Sequence, residues 1–221
     1  MSSSVDTIGN RYLTVMPTTD YYLDNLREQK ELLDIKIYAF CLMTNHIHLV
    51  LQPDSEPGSI SKLMKVLAAR QTRRINKARK RSGTLWEGRF KASLIDTDNY
   101  LLACCRYVDL NPIRARLADA PEGYRWSSFR SRTGLQPISW LDFDTAYQSL
   151  GNSLESRASR YSRFVAEGIG ESEIGLIRQA VGRNQVTGSK TFVDAIVQKT
   201  GRRISAQGQG RPAKSDACRQ K

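Results

Sequence analysis

A chain of 221 residues, 40% of them hydrophobic, is long enough to bury one core and carry an appendage. Its 34 Lys and Arg stand against 22 Asp and Glu, a formal net charge of +12, which favours a polyanionic partner, nucleic acid first. No apolar run approaches the ~20 residues of a spanning helix, and the start MSSSVDTIGN has no basic-then-apolar leader, so no membrane partner and a cytoplasmic location are expected.

In chain order, residues 1–10 are polar and read as loose, and RYLTVM at 11–16 reads as a short strand closed by Pro17. Residues 18–31 carry a helical pattern with Tyr22, Leu23 and Leu26 on one side. Two strand-like runs, 34–43 and 46–53, flank Thr44 and Asn45, which suit a tight hairpin. A long helix follows over 59–81, with Ser59 as its cap and Ile60, Leu63, Met64, Leu67, Ile75 and Ala78 as the buried stripe. Residues 85–96 read as a loop and a strand. A helix over 98–111, capped by Asp96 or Thr97, ends at Pro112. This order predicts an α+β fold, a ferredoxin-like antiparallel sheet with helices on one face.

Three parts are expected: 1–121 as the main domain, 122–200 as a mainly helical extension, and 201–221 as a basic, Gly-rich disordered tail. Gly210, Arg211 and Pro212 in the tail are similar to the core of minor-groove AT hooks, but a solvated basic tail accounts for them better. Cys41, Cys104, Cys105 and Cys218 show neither metal-ligand nor secreted-scaffold spacing, which fits reduced thiols.

The chain has 2 histidines, His46 and His48, in CLMTNHIHLV. On a strand, alternate side chains share a face, so both imidazoles point one way. Two readings stay open on this pattern: ladder histidines, or half of a metal site. On the helix over 98–111, Leu101, Cys105 and Val108 form the apolar stripe, with Tyr100, Cys104, Tyr107 and Asn111 about 100° around the axis. Tyr107 and Asn111 are thus neighbours one turn apart, at the edge of the buried face.

A basic cluster lies between these elements. Arg70, Arg73, Arg74, Lys77, Arg79, Lys80 and Arg81 fall in a stretch without acidic residues, and Arg89, Lys91, Arg106, Arg114 and Arg116 add to the surplus nearby. Such crowding costs self-repulsion that a phosphate backbone would relieve. Trp86 and Phe90 lie beside it, as bases' stacking partners or as packed core.

Four blocks in this order, AFCLMTNHIHLVLQP (39–53), GTLWEGRFKASLI (83–95), YLLACCRYVDLNPIRARL (100–117) and YRWSSF (124–129), resemble the REP-associated tyrosine transposases. These are relatives of the single-tyrosine HUH transposases of bacterial insertion sequences. The resemblance covers residues 18–130, with a weaker likeness over 201–214. It implies that His46 and His48 hold a divalent metal ion, Mg²⁺ or Mn²⁺, and that Asn111 stands where relatives place a third, amide-type ligand. It implies that Tyr107 attacks a phosphodiester of single-stranded or hairpin DNA, leaving a 5′-phosphotyrosine bond and a free 3′-hydroxyl. Arg70, Arg73, Arg74, Lys77, Lys80, Arg81, Arg89 and Lys91 are the expected DNA contacts. The protein is expected to act on repeat hairpins in the nucleoid as a monomer or homodimer. The alternative is a DNA hairpin-binding protein that does not cut. Relatives begin with a His-Val strand and an Arg-Gly-Asn element that RYLTVMPTTD (11–20) hardly reproduces, so either residues 11–16 replace that central strand or the chain has a shortened start.

Overall fold

The structure is a computed structural model that describes residues 3–9, 16–54, 56–96, 100–187 and 190–200. Strand β1 (Ser3–Gly9) leads to helix α1 (Met16–Leu32), strands β2 (Ile35–Leu42) and β3 (His46–Pro53), helix α2 (Gly58–Ala78), strand β4 (Lys91–Ile95) and helix α3 (Leu101–Asp109). The sheet runs β2-β3-β1-β4, antiparallel throughout, which is the ferredoxin-like order. A short strand β5 (Val186–Thr187) adds in parallel to β4.

The missing central strand is supplied from a place the sequence conceals. Ser3–Gly9, read as loose, pairs with β3 on one side and β4 on the other. Backbone ladders on both edges satisfy its N–H and C=O groups, and that tertiary context outweighs a segment with no apolar run. Residues 11–15, read as the strand, lie outside the described residues, and Met16 already belongs to α1. The cap of α2 also differs. Pro57 occupies the cap position without a side-chain bond, and Ser59 is buried inside the first turn. Ile60 is half-buried and Ala78 exposed, so the stripe of α2 is completed by buried Gln71.

A bulge in β2 sets which residues face which layer. The register shifts between Ile37 and Ala39, so Tyr38 and Ala39 face the same side before alternation resumes at Phe40. Ile37, Phe40, Leu42, Ile47, Leu49 and Leu51 pack under α1 and α2 with Tyr22, Leu26, Leu63 and Leu67. Tyr38, Ala39, Cys41 and Val50 face the opposite layer with Leu101, Cys104, Cys105, Tyr107 and Val108 of α3. Helices α1 and α2 thus cover one face as expected, and α3 covers the other.

The described residues after α3 pack on both layers: Leu141 and Trp140 join the α1/α2 cluster, while the later helices lie on the α3 side. After a 3-10 turn at Pro121–Gly123 come helices α5 (Phe129–Arg132), α6 (Thr145–Gln148), α7 (Leu154–Ala166), α8 (Glu171–Gly182) and α9 (Lys190–Thr200). Ile174, Ile177 and Val181 of α8 join the α3 cluster, while Phe129, Tyr147, Tyr161 and Val165 pack against Leu102 and Leu110 on the outer flank of α3. Residues 126–128 run along the free edge of β2: Leu42 N donates to Trp126 O at 2.9 Å and Ser128 N to Phe40 O at 2.9 Å. Cys41, Cys104 and Cys105 are buried free thiols, which burial holds above their ordinary pKa. Cys218 and the expected tail, 201–221 with its Gly-Arg-Pro, lie outside the described residues. Among the described residues no helix is long and apolar enough to cross a membrane.

Candidate active site and nucleic-acid surface

Period two places His46 and His48 on the face of β3 opposite Ile47 and Leu49, toward α3. Their ring centroids are 4.7 Å apart, edge to face. The His48 ring in turn meets the Tyr107 ring, with centroids 5.9 Å apart and planes at 82°. The sheet and α3 therefore bring the histidine pair and the tyrosine into one cluster. Tyr107 is itself buried. The helix has no separate polar stripe at its edge: Cys104 and Tyr107 face the sheet with Leu101, Cys105 and Val108, because α6 and α7 cover the outer flank.

Burial holds the His46 imidazole below its ordinary pKa. It holds His48 well below, assisted by His46, Arg114 and Arg178 nearby. Both rings are thus neutral at pH 7, the form that binds a metal. His46 Nδ1 lies 2.6 Å from Asn45 Oδ1, an acceptor that places the proton on Nδ1 and the lone pair on Nε2. Two neutral imidazoles, one held in orientation by a neighbouring amide, fit a divalent ion of borderline softness. Among the described residues no group of three His, Cys, Asp or Glu supplements them.

Asn111 follows Tyr107 by one turn, and its Nδ2 donates to the Tyr107 carbonyl at 3.0 Å. Its Oδ1 accepts from Arg114 Nη1 at 3.4 Å, a long bond that leaves acceptor capacity on the oxygen. Pro112 does not release the chain into a loop. It sits in the first turn of α4 (Asn111–Arg114), where a missing N–H costs nothing, and the helical stripe continues to Arg114. The guanidinium of Arg114 lies 4.8 Å over the Tyr107 ring. Within the helix expected over 98–111, α3 begins at Leu101 with Tyr100 as its cap residue and no side-chain cap bond; Tyr100 N donates to Asp96 O at 2.9 Å, and Thr97 lies outside the described residues.

Beneath Tyr107, a buried polar network ties α3 to the later segments. Asp109 accepts from Ser128 Oγ at 2.7 Å and from Tyr161 Oη at 2.7 Å. Arg132, fully buried, bonds the Tyr38 carbonyl, lies 3.2 Å from Cys105 Sγ and 3.6 Å from Asp144. Tyr124 Oη donates to Leu42 O at 2.7 Å. The YRWSSF block is accordingly a clamp between the sheet edge and the helix that carries Tyr107.

The basic residues divide into two groups. Arg73, Arg74, Lys77, Lys80, Arg89 and Lys91 are exposed. Arg70 is instead spent on α1: it pairs with Glu28 and donates to Asn25 Oδ1 at 2.7 Å. Arg81 is half-buried and donates to Thr84 O at 3.1 Å. Arg74 lies 4.9 Å over the Tyr21 ring. The helix α2 lies on the sheet face away from the histidines. Lys91 does not, because Lys91, Thr7 and His48 are register partners in one cross-strand row, which spans about 10 Å. Trp86 and Phe90 are half-buried against the α1/α2 core, and Trp86 Nε1 donates to Ala68 O at 3.0 Å, so both are packing residues first.

Several of these roles escape a reading of the sequence. Arg114 stands seven residues after Tyr107, a spacing that marks one helical stripe only if the helix is carried through Pro112. Nothing local marks Asp109, whose partners Ser128 and Tyr161 lie far along the chain.

Residues 10–111 match the family model described as IS200-like transposase. No curated protein sequence matches the chain. Among solved structures, the chain is similar to a REP-associated tyrosine transposase bound to a REP hairpin, at 20% identity over 64% of this chain and 86% of that one, with a TM-score of 0.47. It is also similar to a provisionally assigned transposase from Deinococcus radiodurans R1, at 19% identity over 42% of this chain and 76% of that one, with a TM-score of 0.32.

Proposed function

We propose that the protein, whose residues 10–111 match the family model described as IS200-like transposase, cleaves and rejoins single-stranded DNA at repeat hairpins in the nucleoid, through a 5′-phosphotyrosine bond on Tyr107. The observation that carries this is the meeting of His46 and His48 on β3 with Tyr107 on α3, because those residues come from two separate blocks of the sequence.

The reaction is a transesterification. The phenolic oxygen of Tyr107 bonds to phosphorus, the bond from phosphorus to the 3′-oxygen breaks, the phenol proton is lost, and the departing oxygen takes up a proton as a 3′-hydroxyl. The phosphotyrosine keeps the energy of the phosphodiester, so attack by a 3′-hydroxyl reverses the step without a nucleotide cofactor. A phenol of ordinary pKa near 10 is a poor nucleophile at pH 7 and needs help from its surroundings. His46 and His48, with Asn111 Oδ1 as third donor, would hold Mg²⁺ or Mn²⁺. When bound, that ion supplies positive charge to a nonbridging phosphate oxygen.

Charge supplies the attraction for the strand. The net charge of +12 and the exposed Arg73, Arg74, Lys77, Lys80, Arg89 and Lys91 favour a phosphate backbone. Lys91, in the cross-strand row of His48, is the member of this set positioned for phosphates beside the scissile one.

Incubation of the full chain with a labelled hairpin oligonucleotide carrying a single-stranded flank, with Mg²⁺ or Mn²⁺, tests the proposal. A covalent adduct that survives denaturing electrophoresis is expected. Hairpin binding with no adduct under any metal would favour a DNA-binding protein that does not cut, for which the internal engagement of the Asn111 amide speaks.

A further inference from the structure

The transposase reading leaves one group at the site without a task. Arg114 projects from α4 onto the face of the Tyr107 ring, and its single hydrogen bond, to Asn111 Oδ1, is long at 3.4 Å. The contrast with its neighbours is plain. Arg106, on the same helical run, is gripped by both oxygens of Glu173 at 3.1 and 2.8 Å, and Arg132 has Asp144 at 3.6 Å. Among the described residues no carboxylate pairs with Arg114.

Arg114 is half-buried, so its charge has given up part of its hydration and has no anion in return. It is close enough to act on His48, and so is Arg178 of α8, which leaves the space around His48 and Tyr107 with a surplus of positive charge. Uncompensated positive charge beside the Tyr107 ring attracts an anion such as a phosphate. A guanidinium presents a planar fork of donors that matches two oxygens of a phosphate, and here most of that fork is unspent.

We propose that Arg114 is a catalytic residue that grips a nonbridging oxygen of the scissile phosphodiester while the Tyr107 oxygen attacks phosphorus. Stacking on the Tyr107 ring keeps the fork beside the attacking atom. Charge on the nonbridging oxygens is stabilised by a donor already in place, which lowers the barrier of the transesterification without altering its bonds. The inference rests on the transposase reading.

The test compares two linkages in one hairpin oligonucleotide: the natural phosphodiester at the position wild type cleaves, and an uncharged methylphosphonate at that position. Single-turnover adduct formation is measured for the full chain as wild type, Arg114→Ala and Arg114→Lys. On the natural linkage, Arg114→Ala should be roughly 10²- to 10³-fold slower, the loss typical of one transition-state donor, with hairpin affinity within a few-fold, and Arg114→Lys should fall between. On the methylphosphonate, where a methyl group replaces the charged nonbridging oxygen and leaves one unit less of negative charge to stabilise, Arg114→Ala should react within a few-fold of wild type. Equal slowing on both linkages would make Arg114 a structural prop for Tyr107 and overturn the proposal, as would a natural-linkage rate close to wild type. Absence of any adduct from wild type on the natural linkage would instead defeat the transposase reading, and this inference with it.

Discussion

His48 on β3 and Tyr107 on α3 face each other with ring centroids 5.9 Å apart and planes at 82°, so the candidate metal-binding strand and the candidate nucleophile are in edge-to-face contact. The pair separates chemistry from binding. Replacing His46 and His48 together by Ala should abolish cleavage and metal binding while leaving hairpin affinity within a few-fold, because phosphate charge provides most of the attraction. Cleavage that persists in the double variant, or in wild type with chelator, would make the histidines structural.

The basic surface predicts a salt dependence that sorts its members. Removing Arg73, Arg74 and Lys77 together should weaken binding to all DNA sequences alike and reduce the slope of log affinity against log salt by about 0.7 per lost contact on a single strand. Arg70→Ala should leave that slope nearly unchanged, because Arg70 is held by Glu28 and Asn25. A slope that falls on Arg70→Ala but not in the triple variant would reverse the assignment.

Asp109 predicts a pH effect on stability. Burial raises its carboxyl from an ordinary 3.8 to about 6, against the opposing pull of Arg132 and the bonds from Tyr161 and Ser128. A folded state that holds the proton more tightly than the unfolded chain is stabilised at low pH, and this contribution falls as pH rises from about 4 to about 6, by on the order of 3 kcal/mol. Denaturant midpoints across that window should show the fall in wild type and lose it in Asp109→Asn. An unchanged pH profile in the variant would assign the titration to another group.

Much of the architecture is written in local pattern. The alternation in 34–53 specifies a hairpin and puts both histidines on one face, and the stripe of α2 and the stretch around Tyr107 are helical by period. What escapes depends on partners distant in the chain. Ser3–Gly9 is a central strand only because β3 and β4 accept it on both edges. Arg70 reads as a DNA contact until α1 brings Glu28 to it. Pro112 reads as a stop, although in a first helical turn it is permitted, and that misreading hides Arg114 from the Tyr107 stripe. The burial of Tyr107 comes with the segments after residue 122, whose packing on α3 no local period announces.

The most direct test of the account is Tyr107→Phe, which deletes one oxygen and keeps the ring packed against His48. Full-length wild type, Tyr107→Phe and the control Tyr100→Phe are incubated with labelled hairpin DNA and divalent metal, and the covalent adduct is measured after denaturation. The account predicts an adduct for wild type and Tyr100→Phe, and none for Tyr107→Phe, which should still fold and bind metal and hairpin. A phosphotyrosine adduct formed by Tyr107→Phe would place the nucleophile elsewhere and contradict the account.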